Sequence, residues 1–299
     1  MNSVETFTIT PEMRDTWRTD TKREWSDAQK VDAWRKWGRT NIAAQRDATA
    51  ALLEMADLRP GMRVLDAGGG GGDPSLAAAA AVRPGGQVTV TDVSQGMLDT
   101  AREYAREDGL TNLDYRIADT EDLPFADASF DRALCRCVVM FFPDDVGAAS
   151  EIRRVLKPGG KATFLAWGPL EQNPLFSGMF FSIGKILTLP QPPPGTPGPF
   201  KFAAPGSLSD VLTRAGFAEI EERAVNPLSR WALTPEVFVD LIVEMGGLHW
   251  LLQQMTDEER GQALRDATDH YRSFWNGRTI DLPLACVLAS GTEGGTSAS

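Results

Sequence analysis

Cysteine and histidine are scarce in this chain, which restricts the chemistry that it can support. It contains three cysteines and two histidines in 299 residues. Three cysteines cannot build a disulfide framework, so we expect a reducing, cytoplasmic environment. Cys135 and Cys137 lie two positions apart in an apolar stretch with no other cysteine or histidine nearby in the sequence. We interpret them as small buried residues and predict no metal site.

Long apolar runs and basic stripes are missing as well. No apolar run reaches the roughly 18 residues of a membrane span, and the first residues, MNSVETFTIT, lack the charged and apolar regions of a signal peptide. Lysine and arginine number 30 against 41 aspartates and glutamates, which gives a net charge of −11. Nucleic acid needs a basic surface, so we predict no nucleic-acid partner. Because long apolar runs are missing, we also predict no membrane span.

The stretch VLDAGGGGGDP, residues 64–74, is the most informative part of the sequence. A short apolar run ends at Leu65 and is followed by Asp66. Five glycines stand at 68–72, and Asp73 and Pro74 open an alanine-rich run typical of a helix. We expect Asp73 to cap this helix and Pro74 to occupy its first position. Five glycines cost folding entropy that a plain turn would not need, but they let a ligand lie against bare main chain. The stretch predicts a cradle for a nucleotide cofactor.

Strand and helix patterns alternate on both sides of this loop. Seven predicted strands share an apolar core and lie at 63–66, 87–91, 114–118, 130–138, 161–167, 218–225 and 280–289. The alternation predicts an α/β fold, a Rossmann-like, doubly wound, mostly parallel seven-stranded sheet. Ligands bind outside the carboxyl ends of such strands, so the glycine loop, Asp92, Asp119 and Arg136 should converge there.

The length and the 42% hydrophobic content predict one large domain with added helical segments. We assign residues 1–60 to a helical cap, 61–290 to the sheet domain and 291–299 to a disordered tail. Helical insertions at about 169–206 and 234–275 are expected to pack as a lid over the site. Their aromatic residues either contact a hydrophobic acceptor or form the core of the lid, and they include Phe176, Phe180, Phe181, Phe238 and Trp250.

Four stretches of the sheet region stand in a fixed order: VLDAGGGGGDP, VTVTDVSQGML (88–98), ADTEDLPFADASFD (118–131) and EIRRVLKPGG (151–160). Together they resemble the class I S-adenosylmethionine-dependent methyltransferases, and most of all the branch of the ubiquinone and menaquinone biosynthesis methyltransferases. The resemblance covers about residues 60–168. It implies S-adenosyl-L-methionine as cofactor, S-adenosyl-L-homocysteine as product, and a small-molecule acceptor.

The resemblance also implies where the methionine part of the cofactor lies. Asp66 would accept hydrogen bonds from its ammonium group. The loop glycines Gly68, Gly70, Gly71 and Gly72 would carry this part of the cofactor on main chain.

The nucleoside part would be bound by residues that follow the second and third strands. Asp92 would take both ribose hydroxyls, and Val93 and Met97 would contact the adenine ring. Asp119, with the Thr120 main chain beside it, would accept from the adenine amino group. The alternatives are a helix-capping role for Asp92 and a solvated turn for Asp119.

Two features depart from the family pattern. Relatives usually carry Cys, Ser, Thr or Ala at the positions of Gly69 and Gly71, so we expect a looser loop here. Relatives often have a small polar residue where Arg136 stands. Its guanidinium either pairs with the carboxylate of the cofactor or forms a structural ion pair.

Methyl transfer from a sulfonium is an in-line displacement with a neutral leaving group, so alignment matters more than acid–base chemistry. A base is needed only if the acceptor must lose a proton, and His249 is the candidate, with a packed lid histidine as the alternative. Other hypotheses are a protein that binds the cofactor without transfer and an enzyme that uses the sulfonium electrostatically. A nicotinamide enzyme is disfavoured because GxGxxG is absent.

Overall fold

Nine strands form two sheets in the computed structural model, which describes residues 9–189, 192–193 and 195–294. In chain order they are β1 (Arg63–Ala67), β2 (Gln87–Asp92), β3 (Leu113–Ile117), β4 (Phe130–Arg136), β5 (Leu156–Trp167), β6 (Ala218–Val225), β7 (Leu228–Trp231), β8 (Ile280–Pro283) and β9 (Cys286–Thr292).

The larger sheet has seven strands in the order β3-β2-β1-β4-β5-β9-β6, and β7 pairs with β8 in a separate hairpin. The first five strands pair in parallel, and β9 runs antiparallel between β5 and β6. The predicted α/β class and mostly parallel seven-stranded sheet are therefore confirmed. The chain leaves β1 toward β2 and β3 and later returns to its other side at β4, which makes the carboxyl end of β1 the switch point where ligands bind.

Eleven helices surround the sheets in the described residues. They are α1 (Pro11–Trp25), α2 (Ala28–Ala44), α3 (Arg46–Ala56), α4 (Ser75–Ala81), α5 (Gln95–Glu107), α6 (Asp145–Val155), α7 (Pro174–Gly184), α8 (Ser207–Arg214), α9 (Pro235–Gly246), α10 (His249–Leu252) and α11 (Asp257–Arg272). Among these described helices, none has the length and apolar character that a membrane crossing requires.

The strand–loop–helix unit around β1 forms because both of its faces are buried. Val64 and Leu65 are fully buried in the sheet, and Ala78 and Ala79 of α4 are fully buried against it. Alanine is a strong helix former with a small side chain, so α4 can lie close to the strands. This unit holds the glycine loop at the switch point.

Asp73 does not cap α4, contrary to our prediction. The N-cap position is Pro74, which makes no side-chain capping hydrogen bond. The Asp73 carboxylate instead accepts from the Thr49 hydroxyl at 2.7 Å and pairs with Arg136. A buried cation and a hydroxyl bind the carboxylate better than the helix terminus would.

Several predicted boundaries also differ from the structure. In the first insertion the apolar run from Pro174 to Leu189 predicts one helix, but α7 ends at Gly184. The predicted final strand is divided between β8 and β9, since Leu284 donates to the Pro227 carbonyl and the chain then changes sheets. Gly291 and Thr292, assigned to the tail, belong to β9, while residues 295–299 lie outside the described part of the chain.

The two insertions pack on each other beside the sheet. Tyr271 of α11 donates to the Leu175 carbonyl of α7 at 2.9 Å, and its ring lies 4.7 Å from that of Phe238 on α9. Both rings are fully buried. Of the five aromatic residues named in the sequence analysis, Phe238 belongs to this core and Phe176 and Phe180 are half-buried, whereas Phe181 and Trp250 are 50% and 55% exposed.

This helix packing depends on a glycine where α7 meets α11. A Cβ added to Gly178 would lie 2.4 Å from His270 Cδ2 and 2.8 Å from Tyr271 Cζ, whereas one added to Gly184 would have Leu189 Cδ1 at 3.8 Å as its nearest contact. We expect Gly178→Ala to lower the free energy of unfolding by about 1–3 kcal/mol through overpacking. Gly184→Ala is the control in the same helix and should be neutral or stabilising. Urea titrations would contradict this expectation if both variants unfolded at the wild-type midpoint.

Candidate functional site

A cavity of about 1060 Å³, its open mouth included, lies at the carboxyl ends of β1, β2 and β4. The glycine loop forms one wall, and α1 and α2 of the cap form the opposite wall. Its position matches the switch point of the sheet.

The glycine loop needs glycine for different reasons at different positions. Gly68 has φ +75°, and a Cβ there would lie 2.6 Å from Val138 Cγ1. A Cβ on Gly69 would lie 2.5 Å from Val90 Cγ1 and 2.7 Å from Asp66 Oδ2. The loop is therefore tightly packed at Gly69, and our expectation of a looser loop is wrong at this position. Gly71 has room, since its nearest neighbours would be 3.9 Å away or more.

Asp92 is held rigidly at the edge of the cavity. One carboxylate oxygen accepts from the Gly70 N–H at 3.0 Å, and the other accepts from the Ser94 N–H at 2.9 Å. Helix α5 is capped by the Ser94 hydroxyl rather than by Asp92. Burial raises the pKa of Asp92 to about 6, although these N–H donors stabilise its charge. The carboxylate is thus fixed beside the loop and is suited to accept hydroxyl donors.

Asp119 also lines the cavity, but its carboxylate is bound by the first helix. Lys22 Nζ lies 2.9 Å and Arg18 Nε 3.5 Å from Asp119 Oδ2, while Asp119 Oδ1 accepts from the Glu121 N–H at 3.1 Å. Thr120, next to it, is buried and lines the same cavity. The predicted adenine contact would share Asp119 with cations of α1.

Helix α1 closes the cavity chiefly through charge. Arg14 pairs with Asp144 at 3.2 Å, and Arg18 pairs with the nearly buried Glu121. None of the residues of α1, all of which lie in the described range, is buried. Ion pairs hold the helix to the loops after β3 and β4, and Trp25 at its C-terminal end adds aromatic contacts.

Aromatic rings cover the part of the cavity between the cap and the end of β4. Trp25 lies edge-on to Trp34, with ring centroids 5.8 Å apart, and edge-on to Phe141 at 6.1 Å. Ile42, Val138, Phe142 and Pro143 extend this apolar wall. Such a surface favours an apolar or aromatic ligand.

Arg136 is buried at the base of the cavity. It forms an ion pair of 3.3 Å with Asp73 and donates to Gln45 Oε1 at 2.8 Å. β4 ends here because Cys137 adopts φ +55°, which turns the chain toward Phe141. The predicted strand to residue 138 is two residues too long for this reason.

The structure brings most of the predicted cofactor residues to one cavity. Those that line it are Gly68, Gly70, Gly71, Asp92, Val93, Met97, Asp119, Thr120 and Arg136. Gly72 and Asp66 do not line it. Asp66 is fully buried behind Gly69, bonded to the Ser75 hydroxyl, and burial raises its pKa to about 7.

His249 lies away from this cavity. It borders a shallow surface depression with Lys36 and Glu244, formed by α2 and the end of α9. Within the described residues, neither predicted insertion contributes to the lining of the large cavity. The expected lid is instead provided by α1 and α2, so we assign no catalytic role to His249.

Sequence reasoning missed the contribution of α1. Arg14, Arg18 and Lys22 recur at four-residue spacing, which places them on one helix face. The same spacing is typical of a solvated face, and only the fold shows the acidic loops opposite. The sequence around Trp25 also has no pattern that distinguishes a tryptophan lining a cavity from one that only packs in the core.

Comparisons with known proteins agree with this geometry. The family described as "Methyltransferase domain" matches residues 65–164. An uncharacterized protein of Mycobacterium tuberculosis is 40% identical over 116 residues, which cover 39% of this chain and 41% of the relative, so the chain matches less than half the length of that relative. Nocamycin O-methyltransferase from Saccharothrix syringae is 30% identical over 61% of this chain and 69% of its own length.

Other comparisons cover the methyltransferase domain or the fold alone. A ubiquinone/menaquinone biosynthesis C-methyltransferase from Bordetella avium is 42% identical over 110 residues, 37% of this chain and 43% of the relative. Phosphoethanolamine N-methyltransferase 2 of Haemonchus contortus, solved with S-adenosyl-L-methionine, shares the fold at TM-score 0.56 and 19% identity, covering 93% of this chain and 60% of its own. With the sheet order and the cavity at its switch point, these matches show that the chain belongs to the class I S-adenosylmethionine-dependent methyltransferase family.

Proposed function

We propose that the chain transfers a methyl group from S-adenosyl-L-methionine to a small acceptor with a hydrophobic or aromatic body. The reaction is an in-line displacement that releases S-adenosyl-L-homocysteine. The observation that carries the proposal is the apolar wall of Trp25, Trp34 and Phe141, which lies in the same cavity as the cofactor residues. An apolar wall of this kind favours an acceptor with a hydrophobic or aromatic body.

The residues of the cavity fit the cofactor on two independent observations. The glycine loop offers main chain without side chains at Gly70 and Gly71, where an added Cβ would be clear of all other groups by 3.9 Å or more. Asp92 keeps both oxygens at the cavity edge through the Gly70 and Ser94 N–H groups, ready to accept the ribose hydroxyls. When bound, the cofactor supplies an activated methyl group on a sulfonium.

The chain's own contribution is alignment and exclusion of water. Helix α1 covers the cavity, and the aromatic wall orients the acceptor against it. Orientation of this kind is worth on the order of 7–11 kcal/mol of the barrier. Relatives named as O- and C-methyltransferases support an acceptor with an electron-rich aromatic or enolic body, and quinol-like molecules belong to this class. The cytoplasmic location remains a prediction.

The proposal can be tested by incubating the protein with methyl-labelled S-adenosyl-L-methionine and either a panel of phenols, quinols and enols or a metabolite extract. The label in small molecules is then measured. We expect label in a small molecule and one S-adenosyl-L-homocysteine per methyl transferred. Trp25→Ala should raise KM for the acceptor about tenfold by removing aromatic contact, while Kd for S-adenosyl-L-homocysteine stays unchanged. Trp275→Ala, at an exposed tryptophan outside the cavity, is the control.

Two results would overturn the proposal. Cofactor binding without any labelled small molecule, even from the extract, would indicate a binding protein. A new product without S-adenosyl-L-homocysteine would indicate an enzyme that uses the sulfonium electrostatically.

Cofactor affinity should depend on pH through Asp92. Burial raises its pKa to about 6, and ribose hydroxyls bind the ionised carboxylate, so binding removes a proton from the acid form. We expect Kd for S-adenosyl-L-homocysteine to be flat near pH 8 and to rise about tenfold per unit below pH 6. Calorimetry in two buffers of different ionisation enthalpy should detect proton release near pH 6 and none near pH 8. An affinity equal at about pH 5 and pH 8 would contradict the expectation.

A further inference from the structure

We infer that Asp73 and Arg136 form a two-charge clamp for the amino-acid end of the cofactor, with Asp73 binding the ammonium group and Arg136 the carboxylate. The inference rests on the proposed cofactor site and deepens it. It assigns to Asp73 the role that the sequence suggested for Asp66. It also makes the pair the part of the site that distinguishes an α-amino acid from a simple thioether.

The two side chains lie together at the base of the cavity. Arg136 Nη1 is 3.3 Å from Asp73 Oδ2, and the side chains are only 6% and 8% exposed. Both residues line the cavity beside Gly68 and Gly71 of the loop. A buried pair of opposite charges is costly to desolvate, so its unfilled hydrogen-bonding capacity is informative.

Each partner of the pair has an unfilled hydrogen-bonding position. Both Arg136 Nε and Asp73 Oδ2 are buried; Nε has no hydrogen-bond partner among the described residues, and Oδ2 has only the 3.3 Å ion pair with Arg136 Nη1. The first is a donor and the second is an acceptor. A zwitterionic amino acid offers the reverse set, since its carboxylate accepts and its ammonium donates. One amino-acid group could therefore bind Arg136 Nε through its carboxylate and Asp73 Oδ2 through its ammonium.

One further position on each partner is filled by the cap, which fixes the orientation of the pair. Thr49 Oγ1 donates to Asp73 Oδ1 at 2.7 Å, and Arg136 Nη2 donates to Gln45 Oε1 at 2.8 Å. Gln45 is in turn held by Asn41 Oδ1 at 2.6 Å, and Asn41 lines the cavity. The polar atoms left over are therefore presented by a rigid network.

Asp66 is less suited to the ammonium group. It does not line the cavity, and Gly69 stands between it and the loop surface, since a Cβ on Gly69 would lie 2.7 Å from Asp66 Oδ2. The Ser75 hydroxyl already donates to its carboxylate. Asp66 supports the loop from behind, and Asp73 is the acid of the two that lines the cavity.

Calorimetry with S-adenosyl-L-homocysteine and with 5′-methylthioadenosine, which lacks the amino-acid part, tests the clamp. We expect the wild type to bind the first far more tightly than the second. Asp73→Asn and Arg136→Met should each weaken S-adenosyl-L-homocysteine about 10- to 100-fold, the range for hydrogen bonds to charged groups. Neither should change Kd for 5′-methylthioadenosine. The affinity for S-adenosyl-L-homocysteine divided by that for 5′-methylthioadenosine therefore falls. A general loss of structure would weaken both ligands and would not lower this ratio.

Val93→Ala is the matched control, because Val93 lines the cavity and is assigned to the adenine, which is common to both ligands, so the ratio should stay at the wild-type value. If Arg136→Met fails to fold, Gln45→Ala, which releases the guanidinium, should lower the ratio in the same direction. An unchanged ratio in Asp73→Asn overturns the clamp and leaves the proposed function intact. Failure of the wild type to bind S-adenosyl-L-homocysteine at all overturns both.

Discussion

Asp92→Asn is expected to weaken S-adenosyl-L-homocysteine binding by about 100-fold or more, because it removes a charged acceptor of two ribose hydroxyls. The substitution keeps the size of the side chain. Both carboxylate oxygens already accept main-chain N–H groups, from Gly70 and Ser94. An amide must turn its NH2 toward one of these donors, so the position of the loop is disturbed as well.

Titration calorimetry with S-adenosyl-L-homocysteine measures this loss, and a thermal melt shows whether the variant is folded. Asp114→Asn is a suitable control, since this acid lies on β3 and pairs with the exposed Arg116. The control should bind as the wild type does. A folded Asp92→Asn protein with an affinity within about threefold of wild type would remove Asp92 from the cofactor site.

Gly68→Ala is expected to abolish measurable cofactor binding, whereas Gly71→Ala should bind within a few-fold of wild type. Gly68 has φ +75°, which costs an L-residue about 1–2 kcal/mol, and its Cβ would lie 2.6 Å from Val138 Cγ1. The clash pushes the loop away from the end of β4. Gly71 has an ordinary φ, and a Cβ added there would lie 3.9 Å from Thr100 Cγ2 and 4.0 Å from Trp34 Cε3.

The two variants add the same methyl group to the same loop, so each is the control for the other. Binding is measured by calorimetry, and the free energy of unfolding by urea titration. Gly68→Ala should also lose about 1–3 kcal/mol of stability from overpacking. Equal affinities in the two proteins would show that the loop tolerates side chains throughout and that its position does not determine binding.

The parts of the fold that could be predicted are those with a local cause. β1 to β5 were found because apolar runs alternate with helical periods, and the cavity was placed because parallel strands end at one edge. The residues Asp92 and Asp119 follow strands directly, so the sheet alone brings them to the loop. These contacts need no knowledge of distant segments.

The parts that failed depend on contacts between distant segments. Asp73 was read as a helix cap because its nearest neighbours suggest one, but its partners are Thr49 and Arg136. His249 was considered a base because histidine is rare in the chain, yet its helix packs away from the cavity. The apolar run from Ile280 to Ala289 is continuous in sequence, and only the pairing partners reveal that it serves two sheets.

The charged attachment of α1 has a kinetic consequence. Dissolved salt screens partly exposed charges over about 8–10 Å at physiological strength, and Arg14, Arg18 and Lys22 are 39–45% exposed. The free-energy barrier to moving α1 away from the cavity therefore depends on the salt concentration as well as on the protein. We therefore expect the dwell time of spent cofactor to shorten as ionic strength rises.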